Sequence, residues 1–436
     1  MLKCNVGSVK FEMNSWECRL INLINRPCLG KRLQLSTESY SAERQDMEQE
    51  GTNREDFASR AEENRNRNIE EYHARKIELD SFPWQVQIGA DNRCNLRCAF
   101  CLADAYRQKG MVHLQDRKIR KNPINLFKSL LPWMPYWKML SLTGPGESLI
   151  NPKISQVIRM VREHSDCDLV VTTNGVLINQ RLTDIFLDCG LTEVSISMDS
   201  LDPGIYSELR MNGKLSKVLR GIKFIKDEKE RRGSELPRIN ITPTFFRRNI
   251  EELPYFVDFA AANGIHQLQA SPGQVYREDW LKESLLGFPE LTRKMARIAE
   301  EKAEKLGVRF INNLKMVYTN RGNPLLKLFR RESQEDLPTD PSTCMKPWSS
   351  LYVEPDGEVR PCCYQSPVLG NLYQESFEEI WNGEAAQALR QSMNDRNPPR
   401  PCVECYEFNR HRPEIMIALD AVKEEDESLP ETRKTS

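Results

Sequence analysis

Residues 91–102 read DNRCNLRCAFCL. Cys94, Cys98 and Cys101 stand in the spacing C-x3-C-x2-C, so three thiolates from one short loop can converge on a single centre. A structural zinc site closes with a fourth Cys or His. Here the nearest downstream histidine is His113, and no fourth cysteine follows nearby. An iron–sulfur cube held by four cysteines is coordinatively closed. One held by three keeps an iron open for another ligand, which is the logic of a catalytic rather than a structural site.

Outward from this loop the chain alternates. Short β-rich runs (Trp84–Ile88, Met139–Thr143, Leu169–Thr173, Val194–Met198, Ile239–Phe245, Gln267–Ala270) are separated by stretches with helical spacing. Those stretches are Ile124–Met134, Ile154–Glu163, Asn179–Cys189, Ser216–Glu230 and Ile250–Asn263. Strand–helix repeats of this length imply parallel strands with right-handed crossovers. The fold class expected is α/β, a partial (β/α)6 TIM-like barrel, with chemistry on loops at the C-terminal ends of the strands. A helix over Phe288–Leu306 and a strand over Val308–Asn312 follow.

The expected organisation is an N-terminal extension over 1–80, the barrel over 81–300, a linker region over 301–341, a cysteine-rich module over 342–410 and a polar tail over 411–436. Within the extension, residues 37–80 are dense in Glu, Arg and Asn and poor in large apolar residues. Such a segment cannot bury enough surface to fold alone, so a disordered linker or a solvated helix laid on something else is expected. Cys4, Cys18 and Cys28 match no ligand spacing and read as free thiols.

Composition narrows the function classes. The 436 residues carry 62 Lys+Arg against 63 Asp+Glu, a net charge of −1 that gives no basic footprint for nucleic acid. Mean hydropathy is −0.59, and no run of about 18 apolar residues marks a membrane span. The first twenty residues have charges throughout and no apolar core of a secretory signal, so a cytoplasmic location is expected. Thirteen cysteines without an export signal point to metal or chemistry rather than disulfides.

The cysteine loop after the first strand resembles that of the radical S-adenosylmethionine (radical SAM) superfamily. The resemblance implies a 4Fe–4S cluster on Cys94, Cys98 and Cys101 whose open iron binds the amino and carboxylate groups of S-adenosyl-L-methionine (SAM). An electron from it gives a 5′-deoxyadenosyl radical that abstracts a hydrogen. Phe100, the aromatic before the third cysteine, is implied to pack by the adenine. LTGPGESLINP after the second strand resembles the family's Gly-Gly-Glu-Pro loop, with Gly144, Gly146 and Glu147 in place and Ser148 where the family has proline. VVTTNG supplies Asn174 at the third strand end. In VSISMDS, Ser195, Ser197 and Asp199 alternate in phase and share one face of the strand. The family likeness implies that Ser195 and Ser197 contact SAM and that Arg220 holds its carboxylate.

Cys344, Cys362, Cys402 and Cys405 form a second constellation. Asp356-Gly357, flanked by LYV and EV, reads as a tight hairpin that brings its ends together. Cys402-Val-Glu-Cys405 supplies two more ligands. The spacing C-x12-G-x4-C, then C-x2-C, is similar to the auxiliary module of the SPASM/twitch radical SAM enzymes. With His411 where a further cysteine would stand, it matches the shorter, twitch form, with one auxiliary 4Fe–4S cluster. Cys363 competes with Cys362 as ligand, and taken alone the four cysteines also suit a zinc ribbon.

The function expected is a radical SAM oxidoreductase acting on an unactivated C–H of a small polar, sugar-like or natural-product substrate. The alternatives are a maturase of ribosomally made peptides and, from another class, a non-catalytic zinc protein. The implied partners are a small-molecule or peptide substrate and an electron donor such as flavodoxin or ferredoxin, with no nucleic acid and no membrane. The sequence leaves the catalytic acid or base unassigned; Gln269, Ser271 and Tyr364 are the candidates.

Overall fold

A computed structural model describes residues 2–6, 9–13, 51–101, 123–275, 278–318, 340–363, 366–403 and 405. An N-terminal hairpin pairs β1 (Leu2–Val6) antiparallel with β2 (Val9–Met13). A long helix follows, α1 (Gly51–His73). The strand–helix alternation then runs β3 (Gln85–Ile88), β4 (Arg97–Cys98), β5 (Met139–Leu142), α2 (Ile154–His164), β6 (Asp168–Thr173), α3 (Gln180–Asp188), β7 (Glu193–Ile196), β8 (Arg210–Met211), α4 (Leu215–Arg232), β9 (Arg238–Ile241) and β10 (Thr244–Phe245). It continues through α5 (Leu253–Asn263), β11 (Gln267–Pro272), α6 (Pro289–Leu306) and β12 (Arg309–Asn312).

The sheet order is β10-β11-β9-β7-β6-β5-β3, with β12 on β11, and every one of these pairings is parallel. Sequential parallel strands wrapped by helices give the partial barrel of an α/β protein. Alternation along each strand separates two faces. Ile88, Leu140, Val171, Val194, Ile196 and Ile239 form the hydrophobic core. The other face is polar: the register sets Gln87 beside Ser141, Thr172 beside Ser195, and Ser195 beside Asn240.

The cysteine-rich module extends the same sheet. Strands β13 (Ser350–Val353), β14 (Glu358–Arg360) and β15 (Gly370–Asn371) follow in order, and β13 pairs parallel with β3. The hairpin turn between β13 and β14 uses Gly357 at φ +91°, a conformation L side chains rarely adopt. In helix α7 (Glu384–Asn394) the residues Ala386, Leu389, Arg390 and Met393 are buried.

One difference from the sequence reading has a local cause. The helix expected over Ile124–Met134 stops at Ser129 and continues as a 3-10 turn over Leu131–Tyr136. Pro132 and Pro135 lack the N–H that would carry an α-helix through. Within 37–80, α1 is a helix with a buried stripe, Ala61, Asn64, Asn68 and Glu71. Tyr72 meets the Trp348 ring edge-on with centroids 5.3 Å apart, and the other contacts include hydrogen bonds. Asn68 Nδ2 donates to Ser81 Oγ (2.8 Å) and to the Trp348 carbonyl (2.7 Å), and Asn64 Nδ2 donates to the Phe82 carbonyl (3.0 Å). The helix thus fastens the barrel to the cysteine-rich module. Among the described residues no helix is long and apolar enough to cross a membrane.

Candidate active site

The loops after the parallel strands enclose a cavity of about 420 Å³. Its walls include Cys94, Cys98 and Cys101 with Phe100, then Gly144, Gly146 and Glu147, Asn174, Ser197 and Arg210. Nine of the sequence-selected residues are therefore brought together. Ser195 and Arg220 are not among them. Ser195 lies two residues below the rim on β7, and Arg220 is exposed on α4. The helical period explains the second case: Val218, Leu219 and Ile222 take the buried stripe. The buried arginine at the cavity is Arg210, which sequence reading did not single out.

The cysteine loop is fixed by its neighbours. β4 pairs antiparallel with β8, setting Cys98 opposite Arg210, and Ala99 N–H donates to the Leu209 carbonyl (3.0 Å). Leu96 N–H points at Cys94 Sγ (3.4 Å), Asn174 Nδ2 lies 4.0 Å from the same sulfur, and Arg210 Nη1 lies 3.8 Å from Cys98 Sγ. Burial pushes the Cys98 thiol up to about 12, against the opposing pull of Arg210, and raises Cys94 as well. A free thiolate is not stable there; the sulfurs need a proton or a metal in its place. Three converging sulfurs with N–H donors aimed at two of them fit a cluster.

The glycines serve this loop too. A Cβ on Gly146 would lie 2.5 Å from the Arg93 oxygen and the Asn92 carbonyl carbon, and one on Gly144 would lie 2.6 Å from Gly89 Cα. They let two backbones touch, in addition to lining the cavity. Glu147 is engaged in the same clamp. Its carboxylate accepts from Thr173 Oγ1 (2.8 Å), Asn174 N–H (2.7 Å) and Leu149 N–H (3.2 Å), and burial raises its pKa. Phe100 packs against Phe246 with the rings tilted at 47° and centroids 5.1 Å apart.

In the second centre the hairpin brings Cys344 and Cys362 to Cys402 and Cys405. Burial, then the facing sulfurs of Cys362, Cys344 and Cys405, push Cys402 up to about 12; burial first, with Cys362 and Cys405 contributing, pushes Cys344 up to about 11. Cys363 is exposed, while Cys362 acts on both buried thiols. Four facing sulfurs fit a closed cluster. Among the described residues no three His, Cys, Asp or Glu side chains are drawn together closely enough for a single metal ion. Gln269 and Ser271 lie on β11, with Ser271 Oγ taken by Asn313 Nδ2 (3.0 Å), and Tyr364 is outside the described residues.

Comparison with known proteins agrees with this arrangement. Residues 91–260 match the radical SAM superfamily, and residues 344–406 match SPASM, an iron–sulfur cluster-binding domain. A probable GTP 3′,8-cyclase of Methanocaldococcus jannaschii is 24% identical over 280 residues, 64% of this chain and 84% of that protein. GTP 3′,8-cyclase 1 of Pseudomonas aeruginosa is 30% identical over 197 residues, 44% of this chain and 56% of its own length. Among solved structures, Streptococcus suis SuiB superposes with a TM-score of 0.54 at 17% identity, covering 88% of this chain and 85% of its own. That of anSMEcpe with bound AdoMet gives 0.52 at 16%, covering 80% of this chain and all of its own. At such identities the structural likeness speaks for the fold alone.

Proposed function

We propose, from the premise that the chain belongs to the radical SAM superfamily and carries a SPASM iron–sulfur domain, that it is an oxidoreductase removing hydrogen from an unactivated C–H of a small polar substrate. Cys94, Cys98 and Cys101 would hold the SAM-binding 4Fe–4S cluster, and Cys344, Cys362, Cys402 and Cys405 the auxiliary one. Bound there, the first cluster with SAM supplies the 5′-deoxyadenosyl radical, and the second, closed by four thiolates, supplies an outlet for one electron.

The chain's own residues have distinct duties. Glu147 ties the second strand's loop to the third and leaves recognition of an ammonium group to the backbone carbonyls of 144–146. Phe100, backed by Phe246, offers a ring face to a base. Ser197 and, one level down beside Ser195, Thr172 line the cavity with hydroxyls. Ser195 and Asn240 share the same face in register, and Asn240 Oδ1 is buried without a hydrogen-bond partner. The hydroxyls of Thr143, Thr172, Ser197 and Thr244 along the cavity wall are the observation that carries the small, hydroxyl- or amide-bearing substrate. The GTP of the curated relatives suits the cavity less well. Its cationic lining residues among those described are Arg97 and Arg210, and Arg210 is already paired with Asp199. A peptide is the second reading, favoured by superposition on SuiB, of which a structure bound to its precursor peptide SuiA aligns with a TM-score of 0.51.

The test is anaerobic reconstitution followed by dithionite and SAM. Wild type should release 5′-deoxyadenosine, and Cys98→Ala should not. Candidate substrates deuterated at carbon should then pass deuterium into 5′-deoxyadenosine. Transfer from a peptide but from no small polar compound would replace the first reading with the second.

A further inference from the structure

Arg210 is a charged side chain in an unusual place. Only 7% of the residue is exposed. Its Nε donates to Asp199 Oδ2 (2.5 Å), its Nη1 reaches Cys98 Sγ (3.8 Å), and its guanidinium carbon sits 5.7 Å from the centroid of the Phe100 ring. Asp199 is itself fully buried and fixed from other sides: its second oxygen accepts from Thr244 N–H (2.8 Å), and its carbonyl accepts from Asn249 Nδ2 (2.6 Å). The carboxylate therefore aims the arginine, and the antiparallel β4–β8 pair sets the distance to the sulfur.

A buried ion pair is a weak device for stability, because desolvation offsets most of its Coulomb energy. Its placement beside a cluster thiolate needs another reason. The two sulfurs for which donors are described differ in kind. Cys94 receives neutral donors, the Leu96 N–H and the Asn174 amide, whereas Cys98 faces a cation. Hydrogen bonds and charge at the sulfurs are the levers by which a protein sets a cluster's reduction potential. Reduction adds one negative charge to the cluster and its thiolates, and a cation a few ångströms away in a poorly screened site favours that added charge.

We propose that Arg210 is a positioning residue that raises the reduction potential of the cluster held by Cys94, Cys98 and Cys101, with Asp199 setting both its orientation and how much of its charge the cluster feels. The inference rests on the radical SAM reading of that site. It makes opposite predictions for the two partners. Arg210→Gln removes the cation and should make the cluster harder to reduce. Asp199→Asn leaves the cation and removes its counter-charge, so reduction should become easier. Arg210→Lys keeps the charge but cannot bridge the carboxylate and sulfur with one planar fork, and should fall between wild type and Arg210→Gln.

The experiment is a redox titration with dithionite on reconstituted full-length protein, followed by electron paramagnetic resonance. The relevant cluster is identified as the one whose signal changes when SAM is added. Arg210→Gln is expected to shift the one-electron reduction equilibrium at least tenfold toward the oxidised form, which corresponds to about 59 mV. Iron per chain and thermal melting are measured for each variant. If Arg210→Gln does not fold, the double variant Asp199→Asn/Arg210→Gln buries no unpaired charge and should still show the downward shift. Shifts of the same sign in Arg210→Gln and Asp199→Asn would overturn the inference. So would an unchanged potential in Arg210→Gln, and if SAM affinity fell at the same time, the arginine would be assigned to SAM instead. If wild type shows no SAM-responsive cluster at all, the radical SAM reading of the site fails first, which is a different result.

Discussion

Replacing Gly146 by alanine tests how the loop after β5 holds the cysteine loop. The added Cβ would lie 2.5 Å from the Arg93 oxygen and the Asn92 carbonyl carbon and 2.6 Å from the Asp91 oxygen, all of them backbone. Ordinary contact begins near 3.4 Å, so the two loops must part by about 0.9 Å. No flexible side chain can absorb that movement. Overpacking of this kind costs about 1–3 kcal/mol, a drop in melting temperature of roughly 2–4 °C per kcal/mol for a domain of this size. The larger effect should fall on chemistry. Asp91–Arg93 lead directly into Cys94, and a displacement near 1 Å costs on the order of 100-fold in rate when reacting groups must be aligned. The assay is release of 5′-deoxyadenosine from SAM without substrate, with iron content and melting measured on the same preparation. Gly287→Ala is the control, since nothing lies within 4 Å of its added Cβ. Gly146→Ala protein with the wild-type rate at wild-type iron content would refute the argument that these backbones must touch.

Other outcomes are equally concrete. The reconstituted chain should hold about eight irons, and replacing Cys94, Cys98 and Cys101 together by alanine should remove about half, read by iron analysis. Cys402→Ala protein that still melts cooperatively should keep forming 5′-deoxyadenosine while the ratio of product to 5′-deoxyadenosine falls; an unchanged ratio would make the second cluster structural. Asn68→Leu removes the donor to the Trp348 carbonyl and the acceptor of Trp84 Nε1, and should destabilise by at least about 2 kcal/mol in denaturant unfolding, because buried partners are left unpaired. Burial raises Glu252 from 4.5 to about 7 although Leu201 N–H and Ser200 Oγ donate to it. The folded state therefore holds the proton more tightly than the unfolded chain, and its stabilisation, complete below pH 4.5, is lost as pH rises toward 7. Glu252→Gln should flatten the dependence of melting temperature on pH across that window.

The barrel was legible because its strands announce themselves. Each carries a buried apolar face and ends in glycine, asparagine or a hydroxyl residue, and the cysteine spacing is a local signal that survives without the fold. What was not legible depends on partners distant in sequence. The stripe by which α1 docks is Ala61, Asn64, Asn68 and Glu71, and a polar stripe reads as a solvated face until its hydrogen-bond partners are known. Arg210 becomes a site residue only through a two-residue antiparallel pairing with Cys98, 112 residues earlier. Its partner Asp199 was already visible as the third member of the alternating face, and an unpaired buried carboxylate was a reason to look for a cation. Arg220 was chosen by likeness of position, and the helical period alone placed it outward.

The two centres are mechanically linked, and this limits how separately they can be perturbed. β3 lies between β5 of the barrel and β13 of the auxiliary module. At its end Gly89 N–H donates to the Val353 carbonyl (2.9 Å), and a Cβ on Gly89 would lie 2.9 Å from the Pro355 ring and 3.4 Å from Gly144 Cα. The chain that leaves Gly89 is the one that carries Cys94, five residues on. The hairpin closing the second centre therefore buttresses the loop that forms the first. Metal binding contributes folding free energy to the module that holds it, so loss of the auxiliary cluster loosens that buttress as well as closing an electron outlet. These two consequences separate by what they reach. A lost outlet leaves SAM cleavage intact and lowers product, whereas a loosened hairpin slows SAM cleavage itself, with or without substrate. In Cys402→Ala the rate of 5′-deoxyadenosine release thus reports on the buttress, and the ratio of product to 5′-deoxyadenosine on the electron.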